Sequence, residues 1–278
     1  MKPTQMQKDL SNWLIVSDID GTLLDSKTGE IAPRNIEAIN RFISLGGKFS
    51  LATGRASVVI KGILDRVPVS CPLVVCNGSM IYDPTVDRVV YYCEMSDEAK
   101  RFAIEMADFR TSIGLAVYNE NDMLVIKRTP NIGWLVDYES AAPVEMEPDE
   151  AVKHIWCKAV LVGDVEDISA LGAHYERLGS GHCGTRGVAS MELIFELLPS
   201  GASKASALKR LGEMLGVPHE HVCAIGDYYN DAEMIAYAGV GGAVATAPDE
   251  IKATADIITG TAADGGVADF IDRIIELA

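Results

Sequence analysis

Trp13-Leu14-Ile15-Val16-Ser17-Asp18-Ile19-Asp20-Gly21-Thr22 decides the fold of this 278-residue chain. The apolar run before Asp18, interrupted by Ser17 alone, reads as a strand buried on both faces, as in a parallel sheet. Asp18 and Asp20 are two residues apart, so on an extended backbone both carboxylates point the same way. Gly21 then lets the chain turn. Two carboxylates ~4 Å apart at an effective dielectric of ~20 repel by ~4 kcal/mol. The pair therefore requires a positive charge between them, and a hard divalent cation such as Mg²⁺ matches oxygen ligands.

Three further strands end at a polar residue of interest. Lys48–Ala52 ends at Thr53, Leu73–Cys76 at Asn77-Gly78, and Val222–Ile225 at Gly226-Asp227. Helical patterns separate them over Pro33–Leu45, Ser57–Val67 and Ser203–Leu215. Pro33 suits a first turn, and Gly46-Gly47 and Gly216 are stop signals. Alternating strands and helices imply a doubly wound, Rossmann-like α/β core with a parallel sheet. In such sheets ligands bind beyond the carboxyl ends of the strands, so the polar ends should share one crevice.

The middle third has a different pattern. Arg88–Glu94 reads as a strand, and Ser96 caps a helix running to about Arg110 with Asp97 and Glu98 in its first turn. Leu115–Tyr118 and Met123–Lys127 flank Asn119-Glu120-Asn121-Asp122 as a hairpin. Lys158–Val162 is another strand, Val165–Leu178 a helix and Met191–Leu198 a last strand. Asp83-Pro84 and Pro199-Ser200-Gly201 are breaker-rich hinges. The expected organisation is a discontinuous core, 1–84 and 199–278, with an inserted α/β domain over 85–198 that contains an antiparallel sheet.

Composition narrows the function. Lys and Arg total 24 against 40 Asp and Glu, a net charge of −16. Nucleic acids and anionic membranes both need a basic face, so neither is an expected partner. A phosphate-bearing substrate would need a locally positive site, which again favours a metal and a lysine. The six cysteines show no Cys-x-x-Cys spacing and several sit in apolar runs, so they read as free thiols of a reducing compartment. Met1–Leu10 lacks the apolar core of a signal peptide, and no apolar stretch reaches the ~20 residues that span a membrane. The expectation is a cytoplasmic protein.

Asp18-Ile19-Asp20-Gly21-Thr22 resembles the opening motif of the haloacid dehalogenase superfamily of phosphohydrolases. The family's other motifs follow in order: Ala52-Thr53-Gly54-Arg55, Gly201-Ala202-Ser203-Lys204 and Gly226-Asp227-Tyr228-Tyr229-Asn230-Asp231. Leu23-Leu24-Asp25-Ser26 and the tail with Pro248, Ala255-Asp256 and Asp264-Gly265-Gly266-Val267-Ala268 are similar to the Cof-type branch, whose inserted cap matches the expected insertion in size. The resemblance is weakest from about Val86 to Phe195.

What the resemblance implies is a Mg²⁺-dependent phosphatase for small phosphorylated metabolites, with sugar phosphates leading and flavin or pyridoxal phosphate next. Asp18 would be the nucleophile that forms an aspartyl phosphate. Asp20 would give a proton to the leaving oxygen and later take one from water, while its backbone carbonyl joins Asp18, Asp227 and Asp231 around the metal. Thr53, Gly54, Arg55, Asn77 and Asn230 are the candidate phosphate contacts. Lys204 would offset the charge of Asp18 and phosphate from a helix N-terminus. Three departures stand out: Ala205 replaces a frequent glycine, Tyr228-Tyr229 replace small residues, and Val244-Ala245-Thr246-Ala247 replaces a Met-Gly-Asn-Ala run.

Two rivals share parts of this pattern. A phosphomutase also forms a phosphoenzyme but withholds it from water. A non-catalytic phosphorylatable switch also pairs an acidic pocket with a doubly wound sheet, but has no use for an acid-base such as Asp20. In the insertion, His182, Cys183, Thr185 and Arg186 read as a glycine-rich loop. Trp134, Tyr138 and Trp156 read as core-filling aromatics rather than as pocket lining.

Overall fold

The computed structural model describes residues 8–139, 142–179 and 181–278. Part of the leader reading, residues 1–7, lies outside them. From the N-terminal side the elements are β1 (Leu14–Asp18), α1 (Pro33–Ser44), β2 (Lys48–Ala52), α2 (Lys61–Leu64), β3 (Leu73–Val75), β4 (Met80–Asp83) and β5 (Arg88–Tyr92). They continue with α3 (Asp97–Ala107), β6 (Gly114–Tyr118), β7 (Met123–Lys127), α4 (Pro130–Glu139), β8 (Val144–Glu145), α5 (Pro148–Ala151), β9 (Lys158–Val162), α6 (Val165–Leu178), β10 (Thr185–Met191) and β11 (Ile194–Pro199). The chain closes with α7 (Lys204–Leu215), β12 (Val222–Gly226), α8 (Ala232–Tyr237), β13 (Val240–Val244), α9 (Asp249–Lys252), β14 (Ile257–Thr259) and α10 (Gly266–Leu277).

These elements fall into two units. One holds the described residues up to Thr53, with Ile63–Val74 and Ser203–Ala278; the other holds Gly54–Gly62 and Val75–Ala202. In the first unit the strands run in the order β14-β13-β12-β1-β2-β3, all parallel. The order reverses at β1, which lies between β12 and β2. Such a reversal opens a crevice at the strand carboxyl ends. Every residue of β1 and β12 is buried, which is why both read as continuous apolar runs. α1 buries Ala38, Ile39 and Phe42 along one face, begins with Pro33, and packs against α10. α7 begins in a capping box: Ser203 Oγ accepts from Ser206 N–H, and Ser206 Oγ accepts from Ser203 N–H. It ends at Gly216, whose φ of +63° satisfies the helix terminus without a Cβ clash.

The second unit has its own core. Its six-stranded sheet runs β10-β11-β9-β6-β7-β8, antiparallel except for the β7–β8 pair. Phe102, Leu115, Trp156, Leu161, Leu171 and Phe195 form one apolar cluster. The Asn119 side chain shapes the β6–β7 turn by accepting the N–H groups of Asn121 and Asp122 at 2.8 and 2.6 Å. β4 and β5 form an antiparallel pair.

The structure corrects three sequence expectations. The helix expected over Ser57–Val67 shrinks to Lys61–Leu64, with turns before it, and Gly62 has low helix propensity. Thr185 and Arg186 do not stay in a loop after His182 and Cys183 but open β10, which pairs with β11 across a bulge. The glycines there concealed a strand whose exposure rises along its length, from buried Thr185 to exposed Met191. Of the three aromatics, only Trp156 fills the core, its Nε1 donating to Ala151 O at 2.7 Å. Trp134 and Tyr138 lie one turn apart on α4, are 37% and 55% exposed, and stack on each other at 5.2 Å. All six cysteines are free thiols, and no helix among the described residues is long and apolar enough to cross a membrane.

Candidate active site

The adjacency of β12, β1 and β2 places Asp227, Asp18 and Thr53 at neighbouring carboxyl ends of the first unit's sheet. The capping box makes Lys204 the first helical residue of α7. Its Nζ, 1% exposed, donates to Asp18 Oδ1 and Asp231 Oδ1, both at 2.6 Å. Asp231 Oδ2 accepts the N–H groups of Asp227 and Tyr228 at 3.1 and 3.2 Å, which fixes the loop leaving β12. Thr22 Oγ1 donates to Asp227 Oδ1 at 2.9 Å. Gly21 has φ +94°, and a Cβ there would lie 2.9 Å from the Asp227 carboxyl carbon. The turn after β1 therefore needs glycine twice over, for its backbone and for its closeness to Asp227.

Carboxylate oxygens of Asp18, Asp227 and Asp231 lie within 4.8 Å of one another. One ammonium faces these three acids, so negative charge is in excess. Burial is the main cause that holds Asp18 well above the usual carboxylate range; Asp231 adds to it and Lys204 opposes it. Burial first and Asp231 second raise Asp227 to about 6, against the hydrogen bond from Thr22 and the charge of Lys204. Carboxylates crowded together in this way need a proton or a cation between them. An all-oxygen donor set of this charge suits a hard metal ion, so these residues can hold one. Burial disfavours the charged form of Lys204, but Asp18 and Asp231 outweigh it and raise its pKa. Lys204 is thus a fixed positive charge and not a base.

Asp20 departs from the sequence expectation. Its side chain is exposed, and it is not among the three clustered carboxylates. The strand ends at Asp18 and Ile19 turns inward, so two-residue alternation no longer governs Asp20. The crowding on Asp18 comes from Asp231 and Asp227 instead. Thr53 is buried, with its N–H donating to Val74 O at 3.0 Å, and Asn230 is half-buried in the β12–α8 loop. Gly54, Arg55 and Asn77 belong to the second unit. There Asn77 Nδ2 donates to Glu196 Oε2 at 2.6 Å, and a Cβ on Gly54 would lie 3.2 Å from that nitrogen.

Sequence reasoning gave no role to Thr22, although it closes the first motif, or to Lys158 and Glu196. The available signal for the last two was a lone charge in an otherwise apolar strand: Lys-Ala-Val-Leu-Val in β9 and Ile-Phe-Glu-Leu-Leu-Pro in β11.

A charged aspartate–lysine–aspartate bridge at the carboxyl ends of a doubly wound sheet, beside a third acid, defines an α/β hydrolase site of the phosphoryl-transfer kind. Residues 15–271 match the model of the haloacid dehalogenase-like hydrolases, and the chain belongs to that family. The sequence is 28% identical to the pyridoxal phosphate phosphatase YbhA of Escherichia coli, covering 94% of this chain and 98% of that one. It is also 28% identical to the 5-amino-6-(5-phospho-D-ribitylamino)uracil phosphatase YwtE of Bacillus subtilis, over 94% and 97% of the two chains. Among solved structures, a haloacid dehalogenase-like hydrolase from Bacteroides thetaiotaomicron superposes with a TM-score of 0.80 at 29% identity, covering 94% of this chain and 99% of its own. The Cof-type resemblance is borne out, and the enzyme class these relatives define is phosphoric monoester hydrolase.

Proposed function

We propose that this chain is a Mg²⁺-dependent phosphatase that hydrolyses small phosphorylated metabolites through an aspartyl phosphate on Asp18. The observation that carries the reading is Lys204 bridging Asp18 and Asp231 at 2.6 Å each, with Asp227 in the same carboxylate cluster. Asp18, the Asp20 backbone carbonyl and Asp227 would hold the cation, and Asp231 would orient the loop that carries Asp227. The cation would supply the positive charge that keeps Asp18 ionised and stabilises developing phosphoryl charge.

The remaining chemistry belongs to the chain's own residues. Asp18 attacks phosphorus, and the ester oxygen leaves with a proton from Asp20. Asp20, now a carboxylate, takes a proton from the water that hydrolyses the phosphoenzyme and regenerates Asp18. Its exposure suits a group that must meet leaving group and water in turn. Thr53 and Asn230 contact the phosphoryl oxygens, and Lys204 offsets their charge throughout.

Substrate choice falls to the inserted segment, 85–198, because the motif residues that perform the chemistry lie in 1–84 and 199–278. The class is a phosphomonoester of metabolite size. Sugar phosphates and ring-bearing phosphates are the leading groups; two relatives bear names for pyridoxal phosphate and a ribitylaminouracil phosphate. The test is a panel of such esters assayed for inorganic phosphate with Mg²⁺. Turnover on several members and none on phosphoprotein is expected. Interconversion of phosphate positions without net release would make the enzyme a mutase.

A further inference from the structure

The second unit carries a buried charge pair that the chemistry above does not use. Lys158, the first residue of β9, is 2% exposed, and Glu196 on β11 is 6% exposed. Lys158 Nζ donates to Glu196 Oε1 at 2.8 Å and to the Gly54 carbonyl at 3.0 Å. It also lies 4.8 Å above the Tyr118 ring. The other carboxylate oxygen of Glu196 accepts from Asn77 Nδ2 at 2.6 Å. Asn77 in turn touches the α-carbon face of Gly54, where a Cβ would lie 3.2 Å from its amide nitrogen. A closed ring results: Gly54, Lys158, Glu196, Asn77 and back to Gly54.

Two features favour a ring that holds a backbone shape over one that merely fills space. Cys76 and Asn77 have φ of +51° and +52°, a left-handed conformation that persists only where surroundings impose it. A buried ion pair is also replaceable by apolar residues of similar volume without loss of stability. Apolar residues could not hold the Gly54 carbonyl or the Asn77 amide. Burial opposes the charge on Lys158, but Glu196 outweighs it, so the ammonium persists.

We infer that Lys158 and Glu196 are positioning residues for the Thr53-Gly54-Arg55 phosphate loop, acting through the Gly54 carbonyl and the Asn77 amide. This rests on the phosphatase reading above. The Gly54 carbonyl that the ring holds belongs to the Gly54–Arg55 peptide bond, directly after Thr53 in the chain, and a misplacement of ~1 Å in such a loop reduces turnover by up to ~100-fold. The expected defect is in engaging the phosphoryl group, for every ester alike.

The test uses the full chain with Mg²⁺, p-nitrophenyl phosphate as substrate and inorganic phosphate as competing ligand. Lys158→Met alone leaves Glu196 buried without its counter-ion, so both stability and kcat/KM should fall. Adding Glu196→Gln removes the stranded charge, and the double variant should regain most of the urea midpoint. Its kcat/KM should nevertheless stay about 10- to 100-fold below wild type, with the inhibition constant for phosphate raised in parallel. Glu196→Gln alone, close to isosteric, leaves Lys158 an amide oxygen to donate to but no counter-ion; it should show the same loss of kcat/KM with some loss of stability, and serves if the double variant fails to fold. A folded variant whose kcat/KM and phosphate inhibition recover together with its stability would make the ring structural only and overturn the inference. A wild-type enzyme that releases no phosphate from any ester would instead overturn the phosphatase reading and this inference with it.

Discussion

Replacing Lys204 by Met removes the one ammonium from a cluster of three carboxylates, two of them buried, while keeping most of the side-chain volume. Breaking a buried ion pair by taking away one partner destabilises by about 3–5 kcal/mol, because the other charge is left uncompensated. Here Asp18 and Asp231 both lose a 2.6 Å partner, so the upper end applies at pH 7 without metal. Protons offer a partial escape. Asp227 already has its pKa raised from 3.8 to about 6, so the folded state takes up a proton where the unfolded chain does not. The stability linked to that proton is fully present below 3.8 and is lost as pH rises through about 6. A shift of that size corresponds to roughly 3 kcal/mol. The gap between variant and wild type should therefore narrow from pH 7 to pH 5, since protonation relieves the variant more. Mg²⁺ at pH 7 should restore part of the loss by binding the folded state. Urea unfolding followed by circular dichroism, in chelator at pH 7 and pH 5 and in Mg²⁺ at pH 7, measures all three. A variant as stable as wild type at pH 7 in chelator would refute the counter-ion argument. Its phosphatase activity should be lower by about 10²–10³, the usual effect of losing a transition-state charge partner.

Asp18→Asn should fold and yet release essentially no phosphate from p-nitrophenyl phosphate, since an amide is a poor nucleophile; near-normal turnover would misassign the nucleophile. Chelation should stop turnover and Mg²⁺ should restore it, with Asp227→Ala needing far more metal for half-maximal rate. Full activity in chelator would refute the metal reading. Gly21→Ala should lower stability by about 1–3 kcal/mol and raise the metal requirement, because the new methyl meets the Asp227 carboxyl at a φ of +94°; an unchanged melting temperature would refute that close approach. Trp134→Ala and Arg186→Ala should reorder the metabolite panel by kcat/KM while p-nitrophenyl phosphate changes little. An unchanged ranking for both would remove α4 and β10 from substrate choice.

The sequence by itself determined the parallel core and the polar residues at its strand ends. Runs such as Leu14–Val16 and Val222–Ile225 have no solvent-facing alternation, which only a sheet buried on both faces explains. Lys204 was placed at a helix start by the helical pattern over Ser203–Leu215 and the stop at Gly216, to which the structure adds a capping box between Ser203 and Ser206. The same locality fixed β9 and α6, whose patterns are uninterrupted over their whole lengths. Tertiary structure decided what depends on neighbours distant in the chain. Lys204 is 186 residues from Asp18, and only the adjacency of α7 to the sheet ends turns a lysine into a bridge between two acids. Asp20 looked like a twin of Asp18 while the strand was imagined to continue; the end of β1 at Asp18 separates them. Thr185–Met191 became a strand because β11 supplies its hydrogen-bond partners, which no local propensity records. Lys158, Glu196, Asn77 and Gly54 lie on four segments, joined by hydrogen bonds that span up to 119 residues of chain, and burial makes a ring of them. A charge surrounded in sequence by apolar residues announces that it must be paired; which partner it has is a property of the folded chain alone.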